Sequence, residues 1–577
     1  MSLSQQEYSR WLGAAALDET LRAELNAIAG DEKEIEERFY TELAFGTAGL
    51  RGILGAGTNR MNVHVVRRAT QGLADYIRTF PGGAERGVAI AYDSRAMSDA
   101  FAMETARVLA ANGVKAYLYK TLHSVPQLSF TVRHLKCIAG VVITASHNPP
   151  EFNGYKVYWE DGGQVEPAQA GAILERIQAA DYFDLPVMEK EAALACGRII
   201  MIGEEIDEAY YAAAETLLQH PALMRAHGRE LKLVYTPLHG SGCVPVRTLL
   251  GRVGVSVEVV PEQEKPDPLF PTVKTPNPED PAAFTLGMGL ADQIGADVIL
   301  ATDPDADRLG VAIRKKGGAF RVLTGNQIGS ILVHYILSAR KEKGMLPENG
   351  LVVKSIVTGH MAEAICAAHG VRCKDVPTGF RFISEVIEHC ARTEEETFLF
   401  GFEESHGFLA GTFARDKDAI CGAMLIAEAC VYYGQKGMDL QGVLEEMYRT
   451  YGYYKERVKS YTLAGKEGIG RIHSAMERLR AEAPVQFGGI PVAVSEDLLS
   501  GAARKADGTT APAALKEIDV MRYTLTNGAW LCVRPSGTEP KLKLYIGAQA
   551  ADEAAANEQL EGLTADADGL LCRLLGI

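Results

Sequence analysis

One rhythm recurs along this 577-residue chain: an apolar run of strand length, an amphipathic stretch of helical length, and a second apolar run. It is seen first at residues 87–119, again at 231–260, and a third time at 351–376. A strand, a crossover helix and a second strand joined in this way favour a largely parallel sheet covered by helices. The rhythm therefore predicts three similar mixed-sheet α/β domains, and it restricts the fold more than any other feature of the sequence.

The sequence from about residue 446 onwards departs from that rhythm. Its alternating apolar and polar patterns and longer polar loops indicate a smaller α+β domain. A chain of this length is also too long for one ordinary domain. We therefore expect four domains, with bounds at 1–200, 201–320, 321–445 and 446–577.

Composition narrows the class of protein further. The formal net charge of −15 argues against a nucleic-acid partner. The sequence has no run of about 18 apolar residues, and its first residues lack the basic and apolar segments of a signal peptide. The ten cysteines are scattered without a C-x-x-C pair, which is typical of reduced thiols in a cytoplasmic protein.

The segment Thr144-Ala-Ser-His-Asn-Pro-Pro150 directly follows an apolar run. A strand that ends in a polar turn places polar side chains at the sheet edge, where ligands bind in open α/β sheets. Ser146, expected as a small exposed turn residue, is a candidate nucleophile, His147 a candidate proton carrier or phosphate ligand, and Lys156 an added cation. The alternatives are ordinary turn chemistry for Ser146 and a structural role for His147.

Three carboxylates at alternate positions follow another apolar run; they are Asp303, Asp305 and Asp307. In an extended segment this spacing puts the three side chains on one face, where they repel one another unless a cation neutralises them. An EF-hand loop is excluded, because its glycine and glutamate positions hold Arg308 and Arg314. Oxygen-only ligands favour Mg²⁺ over Zn²⁺, and a phosphoryl oxygen on Ser146 would complete the ligand set.

Three further clusters carry polar groups of interest. Glu403 and Ser405 can together bind two adjacent hydroxyl groups. Lys417, in the mixed-charge segment Arg415-Asp-Lys-Asp418, is a candidate proton donor or acceptor, or else an electrostatic clamp. Arg534-Pro-Ser-Gly-Thr538 combines an arginine fork, two hydroxyls and accessible amides, as an anion clamp does. The alternatives are a solvated loop, a surface ion-pair patch and a simple turn, respectively.

Together these motifs resemble the α-D-phosphohexomutases, most closely the long phosphoglucomutase branch of that family. The resemblance extends to Phe45-Gly-Thr-Ala-Gly-Leu-Arg-Gly52 and Val376-Pro-Thr-Gly-Phe-Arg381, and the motifs arrive in family order over nearly the whole chain. Arg381 stands where the family usually has lysine, and Ala419 where it usually has glycine. The resemblance implies a heart-shaped enzyme with a central cleft, to which each of the four domains contributes one loop.

The resemblance also implies residue roles. The four domains would carry the phosphoserine, the metal, the sugar-binding loop and the phosphate-binding loop, in that order. The implied catalytic residues are Ser146, His147, Lys156, Arg308 and Lys417. The implied metal ligands are phosphorylated Ser146, Asp303, Asp305 and Asp307. The implied substrate ligands are Arg51, Thr378, Gly379, Arg381, Glu403, Ser405, Arg534, Ser536, Gly537 and Thr538.

The implied reaction is a Mg²⁺-dependent interconversion of hexose 1-phosphate and hexose 6-phosphate, with glucose as the expected sugar. Phosphorylated Ser146 would donate its phosphoryl group, a sugar bisphosphate would turn over in the cleft, and its other phosphate would return to the serine. Glucose 1,6-bisphosphate is the expected activator. We expect a cytoplasmic monomer or weak homo-oligomer that binds small sugar phosphates and neither nucleic acid nor membrane.

Other readings remain open. Mannose or pentose phosphates are alternative substrates, because Glu403 and Ser405 would contact hydroxyls that glucose and mannose share. A serine and metal phosphatase is less favoured, since it usually needs a second metal cluster that the sequence does not display. A non-catalytic sugar-phosphate-binding protein is disfavoured because the serine and all three aspartates are present.

Overall fold

A computed structural model of the chain describes residues 2–46, 49–315, 318–463, 465–536 and 540–577. It divides into two compact units. The first contains Met1–Ile328 and Ile383–Gly437, and the second contains Gly329–Phe382 and Met438–Ile577. All ten cysteines are free thiols. Among the described residues, no helix combines the length and apolarity needed to cross a bilayer.

The first unit begins with a layer of three helices. They are α1 (Leu3–Gly13), α2 (Glu19–Ala27) and α3 (Glu32–Phe39). Each helix is capped at its start by a side chain that accepts a backbone N–H, namely Ser2, Asp18 and Asp31. Trp11 is fully buried and packs edge-on against Phe39 and His64. The layer therefore shares its core with the sheet domain that follows.

That domain is built on a six-stranded mixed sheet. Its elements are β1 (Gly49–Ile53), α4 (Val63–Ile77), α5 (Gly83–Arg86), β2 (Val88–Tyr92), α6 (Ser98–Ala111), β3 (Ala116–Tyr119), α7 (Val125–His134), β4 (Ala139–Ile143), β5 (Phe152–Trp159), α8 (Pro167–Ala179), α9 (Lys190–Ala195) and β6 (Ile199–Ile202). The strand order is β1-β5-β4-β2-β3-β6. Strand β2 is parallel to β3 and β4, whereas β5 is antiparallel to β4 and β1. Every residue of β4 is buried, as expected for a strand covered on both faces.

A five-stranded sheet forms the second domain of this unit. Its elements are α10 (Glu204–Glu215), α11 (Pro221–His227), β7 (Leu233–Thr236), α12 (Cys243–Arg252), β8 (Val257–Val259), α13 (Pro261–Glu264), α14 (Thr285–Ile294), β9 (Val298–Thr302), β10 (Leu309–Arg314) and β11 (Phe320–Val322). The strand order is β11-β10-β9-β7-β8. The fully buried strand β9 ends one residue before Asp303.

The third region again alternates helices and strands. Its elements are α15 (Gly325–Glu342), β12 (Gly350–Ser355), α16 (Met361–His369), β13 (Arg372–Val376), α17 (Phe380–Thr393), β14 (Thr397–Glu403), β15 (Gly407–Ala410), α18 (Ala419–Gln435) and α19 (Leu440–Tyr451). Strands β12 and β13 form a parallel pair in the second unit. Strands β14 and β15 form an antiparallel hairpin in the first unit.

The C-terminal domain is a mostly antiparallel sheet covered by two long helices. Its elements are β16 (Tyr453–Thr462), α20 (Gly465–Ala481), β17 (Gln486–Phe487), β18 (Ile490–Asp497), β19 (Ala502–Lys505), β20 (Thr510–Pro512), β21 (Met521–Leu525), β22 (Trp530–Pro535), β23 (Lys541–Ala550) and α21 (Glu553–Leu575). The main strand order is β16-β23-β22-β21-β18-β19-β20. The predicted architecture of three mixed-sheet α/β domains followed by an α+β domain is confirmed.

Candidate active site

Ser146 lies in the loop after β4, and it is 3% exposed. The expectation of an exposed turn residue was wrong, because the loop folds its side chain against the acidic turn after β9. The hydroxyl donates to Asp303 Oδ2 at 2.7 Å, and His147 Nδ1 lies 3.1 Å from the same oxygen. The backbone of Ser146 is left-handed, with φ 50°, a conformation that costs free energy in a non-glycine residue and is often found at functional sites.

Two residues that the sequence analysis missed, Asp93 and Arg95, hold this loop. Both are buried at the end of β2. The guanidinium of Arg95 donates to four backbone carbonyls of the loop, those of Ser146, Asn148, Pro149 and Phe152. Asp93 accepts from the hydroxyl of Thr144 at 2.6 Å, and that hydroxyl in turn accepts from the Ser146 amide at 2.8 Å. Their position at the carboxyl end of β2, beside β4, is the one signal that could have revealed them.

The three aspartates converge through a turn and not through the extended segment that the sequence analysis assumed. Ala306 has φ 52°, and its amide donates to the carbonyl of Asp303 at 3.0 Å. Asp303 Oδ1 also accepts from the amides of Asp307 and Arg308, at 3.1 and 3.0 Å. One ligand oxygen from each aspartate lies within 4.8 Å of the others. The three carboxylates therefore cluster, but a turn with a left-handed residue at Ala306 brings them together and not an extended segment.

This cluster fits a hard divalent cation. All three carboxylates are buried. Asp305 Oδ1 and Asp307 Oδ1 are buried and accept no hydrogen bond from any residue that the structure describes. Burial, together with the neighbouring charges of Asp305 and Asp307, raises the pKa of Asp303 well above its usual range. Buried carboxylate oxygens without a partner are costly unless a cation binds them.

Two lysines approach the same carboxylates. Lys156 Nζ lies 2.8 Å from Asp305 Oδ2 and 3.7 Å from Asp307 Oδ2, and Lys417 Nζ lies 3.2 Å from Asp307 Oδ2. Burial alone would raise the pKa of Asp307, but Lys417, Lys156 and Arg308 lower it below the usual value. Burial alone would lower the pKa of Lys417, but Asp307 and Asp416 raise it. Lys417 is therefore an ammonium group at neutral pH, which suits it to stabilise a transferring anion.

Arg308 lies beside the acidic cluster and is paired with a further carboxylate. Its guanidinium is paired with Glu279, and its Nε lies 3.9 Å from Asp307 Oδ1. Burial alone would lower the pKa of Arg308, but Glu279 and Asp307 raise it, so the side chain is a permanent cation. Glu279 is a partner of this side chain that the sequence did not indicate.

The hairpin of β14 and β15 brings Glu403 and Ser405 to this region. Glu403 ends β14 and is buried, and its charge contributes to the raised pKa of Lys417. The backbone of Arg308 forms an isolated bridge with Gly407. A Cβ atom at Gly407 would lie 2.3 Å from Lys417 Cδ, so the glycine leaves room for that lysine. The hairpin, the acidic turn and Lys417 therefore lie in contact with one another within the first unit.

Arg51 contacts the loop that carries Ser146, and His147 belongs to that loop. Arg51 lies on β1 and donates to Asn148 Oδ1 at 3.1 Å. Burial, with further contributions from Arg308 and Arg51, lowers the pKa of His147 well below its usual value. His147 is therefore a neutral imidazole at neutral pH, able to exchange a proton with the serine hydroxyl. The first unit thus brings together the predicted residues Arg51, Ser146, His147, Lys156, Asp303, Asp305, Asp307, Arg308, Glu403, Ser405 and Lys417.

The other predicted residues lie in the second unit. Thr378 and Gly379 lie between β13 and α17, and Gly379 has φ 122°. Arg381 places its guanidinium 4.5 Å from the centre of the Phe382 ring. Arg534 lies on β22, and the Ser536 amide donates to the carbonyl of Lys541 at 2.7 Å. Gly537 and Thr538 lie outside the described residues.

Comparison with known proteins gives matches along most of the chain. Profiles described as "Phosphoglucomutase/phosphomannomutase" match domain by domain: alpha/beta/alpha domain I at residues 42–183, domain II at 209–317, domain III at 324–451 and the C-terminal domain at 492–563. A phosphoglucomutase of Staphylococcus saprophyticus is 38% identical over 533 residues, covering 92% of this chain and 95% of the relative. A phosphoglucomutase of Staphylococcus aureus is 34% identical over 528 residues, covering 90% and 92%.

Solved structures share the fold. A putative phosphomannomutase from Thermus thermophilus aligns with a TM-score of 0.69 and 24% identity, over 92% of this chain and 99% of that chain. The phosphoglucomutase pp63/parafusin from Paramecium aligns with a TM-score of 0.68 and 15% identity, over 93% and 97%. With four domain profiles matched in order, and with relatives above 30% identity over nearly their whole length, this chain belongs to the phosphoglucomutase/phosphomannomutase family of hexose phosphate mutases.

Proposed function

We propose that this chain is a phosphoglucomutase that acts through a phosphoserine at Ser146. The observation that carries the proposal is the 2.7 Å hydrogen bond from the Ser146 hydroxyl to Asp303 Oδ2, inside a buried cluster of three carboxylates. A hydroxyl in that position can carry a phosphoryl group beside a bound cation. The relatives named phosphoglucomutase support glucose as the sugar.

Mg²⁺ is the metal that we propose for this site. Asp303, Asp305 and Asp307 would hold it, together with an oxygen of the phosphorylated serine, since all these donors are hard oxygens. When bound, the metal would neutralise charge on the phosphoryl group and polarise it. The remaining chemistry belongs to the side chains around it.

In the first half of the proposed reaction, the bond between phosphorus and Ser146 Oγ breaks while a bond from phosphorus to the free sugar hydroxyl forms. Lys417 and Arg308 stabilise the negative charge of the moving group, because both are cations beside the acidic turn. The sugar hydroxyl loses its proton as its oxygen bonds to phosphorus, and Ser146 Oγ gains one as its own bond breaks. The neutral His147 relays this proton, because it can take up one proton at one ring nitrogen while it gives another to the serine oxygen from Nδ1, 3.1 Å away. In the second half, the other phosphate of the bisphosphate returns to Ser146, and the isomerised monophosphate leaves.

Recognition of the sugar and of the distal phosphate completes the proposal. Glu403 and Ser405 would bind two ring hydroxyls, and Arg51 would contact the reacting phosphate. Thr378, Gly379 and Arg381 would contact the sugar from the third domain. Arg534, Ser536, Gly537 and Thr538 would hold the phosphate that is not reacting. The domain bounds at 1–200, 201–320, 321–445 and 446–577 carry these roles in order.

The same proposal sets the cellular context. We propose that the chain binds small sugar phosphates, that glucose 1,6-bisphosphate activates it, and that it binds neither nucleic acid nor a membrane. Ten free cysteines are compatible with a reducing compartment, and we propose the cytoplasm.

A comparison of substrates tests the proposal. With Mg²⁺ and glucose 1,6-bisphosphate, we expect kcat/KM to be highest for glucose 1-phosphate, compared with mannose 1-phosphate and ribose 1-phosphate. A higher kcat/KM for mannose or ribose phosphate would make the chain a phosphomannomutase or a phosphopentomutase. Sustained release of inorganic phosphate from glucose 1-phosphate would instead identify a phosphatase.

The nucleophile is tested separately by mass spectrometry. After incubation with glucose 1,6-bisphosphate, the peptide that contains Ser146 should gain the mass of one phosphoryl group. Ser146→Ala should lose both this mass increment and mutase activity. Because the Ser146 side chain is buried and bonded to Asp303, the thermal unfolding of the alanine variant must be measured together with its activity. Near-normal turnover by a folded alanine variant would refute the assignment.

A further inference from the structure

We propose that Asp416 is a positioning residue that fixes the ammonium group of Lys417 beside the acidic turn. The inference rests on the proposed function, in which Lys417 stabilises the transferring phosphoryl group. Asp416 acts on the reaction through Lys417 and not by touching the reacting atoms.

Each carboxylate oxygen of Asp416 accepts two hydrogen bonds. The residue is 1% exposed. Its Oδ1 accepts from Lys417 Nζ at 2.7 Å and from the Lys417 amide at 2.8 Å. Its Oδ2 accepts from the Tyr158 hydroxyl at 2.8 Å and from Gln164 Nε2 at 2.9 Å. With one oxygen held by two side chains of the first domain, the other oxygen is a fixed anchor for the ammonium group.

Strand β5 carries both the tyrosine that holds Asp416 and the second lysine of the site. Lys156 and Tyr158 are two positions apart on β5, so their side chains leave the same face of the sheet. Lys156 bonds Asp305 at 2.8 Å, while Tyr158 bonds Asp416. Tyr158 and Gln164 are themselves joined by an isolated backbone bridge. One rigid strand thus sets the position of Lys156 directly and of Lys417 through Asp416.

An unanchored lysine would serve the reaction poorly. Its ammonium group is a point charge on a flexible stem, and ordering a free lysine side chain costs conformational entropy. In this chain the stem of Lys417 passes over Gly407, and its end is held between Asp416 and Asp307. Ordering the side chain before the substrate binds means that this entropy is not lost in the transition state.

Asp418 is a natural control for a purely structural aspartate. Like Asp416 it is 1% exposed, and it accepts from a tyrosine, Tyr210, at 2.9 and 2.8 Å. It also accepts from the Cys421 amide, where it caps the start of α18. Asp418 therefore resembles Asp416 in burial and partners, but it has no bond to the Lys417 ammonium group among the described contacts.

The experiment is a double-mutant cycle on full-length protein with glucose 1-phosphate, Mg²⁺ and glucose 1,6-bisphosphate. We expect Asp416→Asn to lower kcat roughly 10- to 100-fold with little change in KM, the loss typical of one charge-assisted contact. Because Asp416 acts through Lys417, the double variant Asp416→Asn, Lys417→Met should be no slower than Lys417→Met alone. Asp418→Asn changes a residue of the same burial that has no bond to that ammonium group among the described contacts, and it should lower kcat far less than Asp416→Asn does.

Tyr158→Phe gives a second, milder test, since it removes one of the two bonds to Asp416 Oδ2 and should lower kcat in the same direction. Losses from Asp416→Asn and Lys417→Met that multiply would overturn the inference while leaving the proposed function intact. A Lys417→Met variant with normal kcat/KM would show that the lysine has no role in the reaction, and would refute that part of the proposed function. If Asp416→Asn does not fold, an unchanged kcat for folded Tyr158→Phe would count against the inference.

Discussion

Replacement of Arg95 by methionine should be among the most damaging single changes in this protein. The guanidinium is 3% exposed and donates to four carbonyls of the loop that carries Ser146. Methionine fills a similar volume but donates nothing, so all four carbonyls would lose the hydrogen bond from the guanidinium, and among the described contacts only that of Pro149 keeps another bond, from the Phe152 amide. Asp93, which lies 3.6 Å from Arg95 Nε, would also lose its counter-ion.

The magnitude follows from these contacts. One hydrogen bond to a charged group contributes about 1.5–3 kcal/mol, but four bonds from one side chain do not add. Removing one partner of a buried ion pair costs about 3–5 kcal/mol, and we expect Arg95→Met to lower the free energy of unfolding by that amount. Arg95→Lys should be intermediate, because a single ammonium group cannot reproduce the planar fork that spans the loop.

Arg68 provides the control. It is also buried, and its guanidinium donates to the carbonyls of Ala180 and Gln178, at 2.8 and 3.3 Å, and to Glu42 at 2.7 Å. Arg68→Met should therefore also lose stability, although less than Arg95→Met because Glu42 is half exposed, and it lies at a position that does not touch the loop carrying Ser146. Only Arg95→Met should also slow phosphorylation of Ser146 by glucose 1,6-bisphosphate.

The assays are urea unfolding followed by tryptophan fluorescence, and quenched-flow measurement of phosphoserine formation. The reasoning would be refuted if Arg95→Met unfolded within about 0.5 kcal/mol of wild type, the range of an ordinary surface substitution. It would also be refuted if the two methionine variants slowed phosphorylation equally, because the loop would then not depend on Arg95 in particular.

Four other substitutions test separate parts of the molecule. Asp305→Asn should raise the Mg²⁺ concentration for half-maximal activity by at least the roughly 10- to 100-fold that loss of a hydrogen-bond partner of a metal ligand costs, and full activity in excess chelator would contradict the metal site. Arg534→Ala should lower kcat/KM by roughly 10- to 150-fold, while Ser146 still becomes phosphorylated. Unchanged kinetics would mean that the segment around Arg534 is a simple turn and does not bind phosphate. Gly407→Ala should lower kcat by roughly tenfold by displacing Lys417, with normal kcat as the contrary result in steady-state assays. Burial lowers the pKa of His64 to about 4, below its unfolded value of 6.5, so the free energy of unfolding decreases as pH falls from 6.5 towards 4. His64→Phe should abolish about 2 kcal/mol of the stability that the wild type loses between pH 7 and pH 5. Unfolding curves with the same pH dependence in wild type and variant would contradict this prediction.

Much of the site could be located from the sequence because strand ends are local features. The apolar runs before Ser146 and Asp303 predicted buried strands, and both strands are fully buried where expected. Once the strands are placed, the polar residues that follow them must lie at the edge of a sheet. That argument needs no knowledge of the rest of the chain.

Other parts of the site could not be predicted in this way. Asp416 depends on a contact with Tyr158 at a separation of 258 residues, and no local pattern encodes such a contact. The convergence of the aspartates depends on the left-handed backbone of Ala306, which the identity of an alanine does not suggest. The helical layer at residues 3–39 was missed although Ser2, Asp18 and Asp31 are recognisable N-caps.

The placement of β5 has a consequence for how this chain can change during evolution. The strand pairs with β4 on one side and with β1 on the other, and successive side chains leave opposite faces. A single residue inserted or deleted between Lys156 and Tyr158 would put these two side chains on opposite faces, so that one of them would lose its partner. We therefore expect natural length variation among related chains to be absent from this strand and to accumulate in exposed loops such as residues 506–509.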